Sequence, residues 1–283
     1  MKKEDMVSYT AILQELERAQ ATRPHLAAFM ALHIAMIRLQ AQVAAPLTVA
    51  PLATPEGAPQ MSNGQPWLSA DSIGLEPEAL AEIAQQTVRV TEQHRPDLAK
   101  PLAAIVHWLA DHRGSLVEDA WAVVHESSAR VGVKKQLDRG LLSYVLINAL
   151  HPFLRAQAER AALLVDDAAW HRGYCPVCGG SPDFAALVKD SGYRRLLCAL
   201  CDTEWSFYRT TCPFCGDEKQ VSYYTGEAPY RIYVCGSCRR YLKTIDLREA
   251  AGEHLLPVER ILTIEADTAA QAAGWRAFND TSY

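Results

Sequence analysis

Through the first 170 residues apolar positions recur at intervals of three and four, the period of helices with one buried face. Ala27, Met30, Ile34 and Ile37 predict a helix with its start around Thr22, and Pro24 falls where a first turn tolerates it. Pro77 opens another over Leu80, Ile83, Ala84, Thr87 and Val90, and Leu98, Leu102, Ile105 and Leu109 mark the next. Ser115 and Glu118 have the spacing of a capping box, introducing a helix through Trp121 and Val124. Leu137, Leu141, Tyr144, Val145 and Asn148 predict a helix stopped before Pro152, with one more over 152–168. Pro46–Gln65 is too rich in proline for a helix and reads as a loop or extended connection.

At about residue 171 the pattern changes. Short apolar runs (RRLLC, VSYY, RIYVC), tyrosines and glycine-containing turns replace the helical period and predict small β-ribbons. After YLKTIDLRE the tail reads as a strand or extended segment followed by a short helix.

The ribbons contain all eight cysteines, as four Cys-x-x-Cys pairs. Cys175, Cys178, Cys198 and Cys201 recur 37 residues later as Cys212, Cys215, Cys235 and Cys238. A Cys-x-x-Cys turn curls round its two sulfurs and points them at one centre, and two such turns close a tetrahedral site. Pro176 and Pro213 pre-set the first turn of each unit, and Gly179 and Gly216 stand where a positive φ is often needed. Disulfides or spare thiols would not explain the matched repeat. Each repeat is complete by itself, which favours sequential sites over a cross-brace joining the first pair to the third and the second to the fourth. Such S₄ sites take zinc or a single iron, and the spacing does not separate them. The expected fold is α+β. A helical N-terminal domain (1–170) precedes two tandem rubredoxin- or zinc-ribbon-like four-cysteine β modules (171–210 and 211–249) and a C-terminal tail (250–283).

Composition narrows the function. The chain has a net charge of −5, giving no general attraction to nucleic acid or anionic membranes. From Arg172 to Arg248 there are 11 Lys/Arg against 8 Asp/Glu, and eight thiolates with two divalent ions take that +3 to about −1. A nucleic-acid-binding ribbon, which needs a basic face, is therefore the weakest reading. No run of about 18 apolar residues suggests a membrane span, and the first residues lack the pattern of a signal peptide. Cysteines confined to paired motifs fit a reducing, cytoplasmic setting.

Other chemistry is scarce. His125-Glu126 begins like a zinc-protease helix, but Ala129 stands where the second histidine belongs. His171 reads as an exposed loop residue, with a hydrogen bond to the first metal site as the alternative; Trp205 reads as packing against its ribbon, with a partner contact as the alternative. There is no P-loop, dinucleotide fingerprint or nucleophile elbow, so no catalytic residue is assigned and the protein is expected not to be an enzyme.

CPVCGGSP, LLCALCDTEW, Arg209 ahead of CPFCG, and CGSCRRYLKTID resemble the formate dehydrogenase accessory proteins, the FdhE family. The likeness covers about 175–246, with Glu204-Trp205 and Tyr241-Leu242-Lys243 as its more specific parts. After the last ribbon PVERILTIEAD departs from the acidic run of the family, with Arg260 in its midst. The resemblance implies a cytoplasmic accessory factor, itself no oxidoreductase, that binds the catalytic subunit of respiratory formate dehydrogenase before export and carries rubredoxin-like iron. A rubredoxin-like or dithiol redox protein is the alternative.

Overall fold

The structure is a computed structural model and describes residues 6–47, 63–125, 137–161 and 164–279. The predicted loop lies mostly outside these residues, as does Ala129. The chain forms two compact units. One comprises Ser8–Leu52 and Leu68–Arg160; the other comprises Met1–Val7, Ala53–Trp67 and Ala161–Tyr283.

The first unit is helical. It holds α1 (Tyr9–Thr22), α2 (Ala27–Ala44), α3 (Pro77–His94), α4 (Ala99–Asp111), α5 (Leu116–Val124) and most of α6 (Arg139–Ala161). Ser8 caps α1 by accepting the Ala11 N–H at 3.2 Å. Pro24 starts a 3-10 turn that feeds α2. α2 packs against α1 and α3, and α3 against α4 and α5, with Leu16, Met30, Leu80, Leu102, Leu109 and Leu116 buried. Pro24–Ala44 is also long and apolar enough to cross a bilayer, a property hidden in the sequence because His25, His33 and Arg38 interrupt the apolar run.

Two local expectations fail here. Ser115 forms no capping box: a 3-10 turn over Arg113–Ser115 leaves it at ψ 19°, and its hydroxyl donates to Asp119 at 2.6 Å instead. Pro152 does not end a helix either, since α6 runs through it. A proline there orphans the carbonyl four residues back, that of Asn148. The buried Gln40 on α2 supplies the missing donor, its Nε2 lying 3.3 Å from the Asn148 carbonyl and 3.1 Å from the Asn148 side-chain oxygen.

The second unit contains the two expected four-cysteine β modules, joined side by side in one six-stranded sheet. Its strands are β1 (Pro182–Leu187), β2 (Arg194–Cys198), β3 (Glu204–Phe207), β4 (Val221–Thr225), β5 (Tyr230–Cys235) and β6 (Tyr241–Asp246), in the order β3-β2-β1-β6-β5-β4. Each repeat is an antiparallel three-stranded meander, and the two join where β1 pairs in parallel with β6, Phe184 opposite Lys243 and Leu187 opposite Asp246. The tail forms two helices, α7 (Leu256–Leu262) and α8 (Ile264–Ala272), instead of a strand and a helix. α7 packs on β1, and α8 on β6. Leu256 closes a core with Phe184, Ala186, Leu197 and Ile245, and Ala270 a second with Val234 and Tyr241.

The unit takes more of the chain than 171–249. Asp167 accepts the outward-facing Ser206 N–H of edge strand β3 at 2.7 Å, and Trp67 donates its N–H to the Pro176 carbonyl at 3.1 Å.

Gln40→Ala is expected to destabilise the helical unit by about 1–3 kcal/mol, the usual cost of an unsatisfied buried polar group. In a Pro152→Ala background, where residue 152 regains its N–H, the same change should cost measurably less; denaturant unfolding of the four-variant cycle reads the coupling. In the sheet, Arg248 chiefly, with Arg231, holds the Asp246 carboxylate below the usual range. A lowered folded-state pKa gives stability that is present above the ordinary value of about 4 and is lost as pH falls through the folded one. Asp246→Asn should therefore be clearly less stable than the parent at pH 7, the gap closing as both are titrated into acid.

Candidate metal centres

Each repeat sets its sulfurs in the same way. The first Cys-x-x-Cys turn precedes the opening strand, and the second forms the turn between the middle and last strands. In the first turns the Gly179 and Gly216 N–H groups close back on the Cys175 and Cys212 carbonyls at 2.9 Å, with φ of +75° and +76°. The second turns place Asp202 (φ +57°) and Arg239 (φ +60°), again 37 residues apart, in the left-handed region. That conformation opposes L-residues, and its repetition marks it as a requirement of the sulfur turn.

The eight cysteines come together as two sequential groups, Cys175, Cys178, Cys198, Cys201 and Cys212, Cys215, Cys235, Cys238, each with all sulfurs within 4.8 Å of one another. Cys175 and Cys201 sulfurs lie 3.6 Å apart, and Cys178 lies 3.5 Å from both Cys198 and Cys201. In the second group Cys212–Cys238 is 3.7 Å and Cys215–Cys235 is 3.6 Å. A disulfide needs about 2.05 Å. A tetrahedron with metal–sulfur bonds of about 2.3 Å has edges of about 3.8 Å. The spacings fit a shared ion and exclude bridges.

The protonation of the free sulfurs agrees with this. Burial drives the Cys178 and Cys198 thiols well above their ordinary value. In the second group the contact between Cys212 and Cys238 pushes Cys212 up and Cys238 down, to about 5. Four thiolates at such distances repel one another, and a cation is what allows all four to ionise together. The first group also has donors in place: the Val177 and Leu200 N–H groups point at the Cys175 and Cys198 sulfurs at 3.4 and 3.3 Å, and the Thr203 hydroxyl lies 3.1 Å from the Cys201 sulfur.

The surroundings of the two groups differ. All four cysteines of the first are buried; in the second Cys215 is exposed and Cys238 half-buried. The tail reaches both. Arg260 hydrogen-bonds Asp183 and Asp202 and lies 3.4 Å from the Cys198 carbonyl. Arg276 donates to the Cys238 carbonyl at 2.7 Å. No spacing rule identifies these arginines, because each acts across 38 residues or more.

Of the remaining candidates, Trp205 is fully buried with its ring N–H on the Arg172 carbonyl at 3.0 Å, so it packs within the unit. His171 is exposed and stacks on Tyr208 at 5.4 Å between ring centres, as a loop residue would.

Arg260→Met should leave the half-buried Asp183 and the buried Asp202 without their cation. The expected loss is about 3–5 kcal/mol for a broken buried ion pair, read by denaturant unfolding followed by circular dichroism.

A family model described as FdhE, central domain, matches residues 174–209, which span the whole first sulfur group and β1–β3. The "Protein FdhE homolog" of Aquifex aeolicus (strain VF5) is 32% identical over 142 residues, a match spanning 48% of this chain and 49% of that one. The crystal structure of the FdhE protein from Pseudomonas aeruginosa shares the fold, with a TM-score of 0.61 and 23% identity, over 96% of this chain and 94% of that one. The first sulfur group thus lies in a segment similar to the FdhE central domain, the chain spans about half the length of the curated relative it matches, and its fold is that of the Pseudomonas aeruginosa protein.

Proposed function

We propose that the protein is a metal-binding accessory factor for the maturation of respiratory formate dehydrogenase, acting in the cytoplasm on the catalytic subunit of that enzyme. What carries the reading is that both four-cysteine sets are complete in a chain whose residues 174–209 match the FdhE central domain. Cys175, Cys178, Cys198 and Cys201 would hold one iron or zinc, and Cys212, Cys215, Cys235 and Cys238 the other. Four thiolates fill a tetrahedral ion, so the ions act first as staples for ribbons with little core of their own. Iron in the same cages would also pass single electrons, and the exposed Cys215 is the one observation that favours a redox contribution.

In a strain lacking the protein, the parent chain should restore formate-dependent dye reduction, while Cys198→Ser and Cys235→Ser should leave it at the level of the deletion. Metal counted by mass spectrometry should fall by one ion in each variant, and the parent should co-purify with the dehydrogenase catalytic subunit. Full restoration by a variant that has lost its ion would remove the metals from the function. Absence of the catalytic subunit from the purified parent would remove the partner.

A further inference from the structure

The two ribbons differ in how one repeated arginine is neutralised. Arg194 on β2 and Arg231 on β5 are equivalent by the 37-residue repeat, and so are Arg209 and Asp246. In the second ribbon the arrangement is balanced, since Arg231 lies 2.6 Å from Asp246 and 2.7 Å from Glu249. In the first ribbon the position of the acid is held by Arg209, and no carboxylate pairs with Arg194 among the described residues.

Arg194 is nevertheless fully buried. Its guanidinium stacks over the Tyr233 ring at 4.2 Å and gives one N–H to the Thr211 carbonyl at 3.3 Å, while Nε and Nη2 have no acceptor. A buried cation without a counter-charge is costly and is retained where an anion compensates it. Burial draws the group down to about 10, which still leaves it charged at neutral pH. Thr211 directly precedes Cys212, so the bond to its carbonyl fixes the guanidinium beside the opening sulfur turn of the second group. Four thiolates round a divalent ion leave a charge of −2 there, and round a trivalent ion −1.

We propose that Arg194 is the counter-charge of the second metal centre: a positioning residue from the first ribbon that sets how tightly the second ribbon holds its ion. The inference rests on metal occupancy of the four-cysteine groups, not on the identity of the partner. Retention of the second ion then depends on a folded first ribbon, while the first centre has no such dependence on Arg194.

The test is a titration of the full-length, metal-free reduced chain with Zn²⁺ and with Co²⁺, against a competing chelator, for the parent and three variants. Alkylation of unligated cysteines, mapped by mass spectrometry, assigns each loss to its centre. Arg194→Met should weaken the second centre about 10–100-fold, as loss of an outer-shell partner does, and leave the first unchanged. Arg194→Lys should recover most of the affinity. Arg209→Asp, which restores the acid found in the second ribbon and leaves Arg194 in place, should also weaken the second centre, so the inference stands or falls even if the methionine variant does not fold. Equal losses at both centres, or unchanged affinity in Arg194→Met and Arg209→Asp, overturn it. A parent chain that binds no metal overturns it together with the assignment of the sulfur groups as metal sites, whereas two ions bound equally well by every variant overturns it alone.

Discussion

The parallel pairing of β1 with β6 is the contact on which the cysteine-bearing half of the molecule depends. A three-stranded ribbon of five-residue strands buries little apolar surface and has two open edges. Joining the first strand of one ribbon to the last strand of the other removes two of the four edges and creates a seam that can be covered. Parallel neighbours need a long connection, and here that connection is β2 to β5, which contains six of the eight cysteines. The sulfur turns are therefore held at the ends of a sheet already closed by its first and last strands.

That seam explains the polar character of β6. All six of its residues are buried, yet it reads Tyr-Leu-Lys-Thr-Ile-Asp. Lys243 is matched by Asp267 at 2.5 Å and the Arg260 carbonyl at 2.7 Å, both on the tail helices, and Asp246 by Arg231 and Arg248. Buried charges persist when they are paired and hydrogen-bonded. The tail supplies the partners on one side of β6 and the apolar cover of Leu256 and Ala270 as well.

The sulfur sites were legible because the chemistry is local. Two Cys-x-x-Cys turns and a gap fix a tetrahedral arrangement almost without regard to the rest of the chain, and the positive φ of Gly179 and Gly216 follows from the same turn. The helices were legible where one face is apolar, as in α3 and α4. What escaped was decided at a distance. Pro152 reads as a helix stop until Gln40, far earlier in the sequence, is seen to satisfy the carbonyl it orphans. The seam between the two ribbons was not foreseen, because nothing local to YLKTID says that it pairs with β1 and is covered by the tail. Arg260 looks like a departure from a family pattern, and it is the cation between the half-buried Asp183 and the buried Asp202.

The duplication itself accounts for why two identical sulfur sets sit in unlike surroundings. In the order β3-β2-β1-β6-β5-β4 the ribbons follow one another head to tail, so one offers its first strand to the seam and the other its last. A two-fold arrangement would have given both the same neighbours. Head-to-tail joining gives each ribbon a different covered edge, so divergence at equivalent positions is free to proceed separately: Arg209 against Asp246, a buried Cys178 against an exposed Cys215. Sulfur geometry is common to both repeats because it is set inside each one. Burial, counter-charge and access are set between the ribbons and by the tail, and those are the properties that determine how firmly an ion is held and what can reach it.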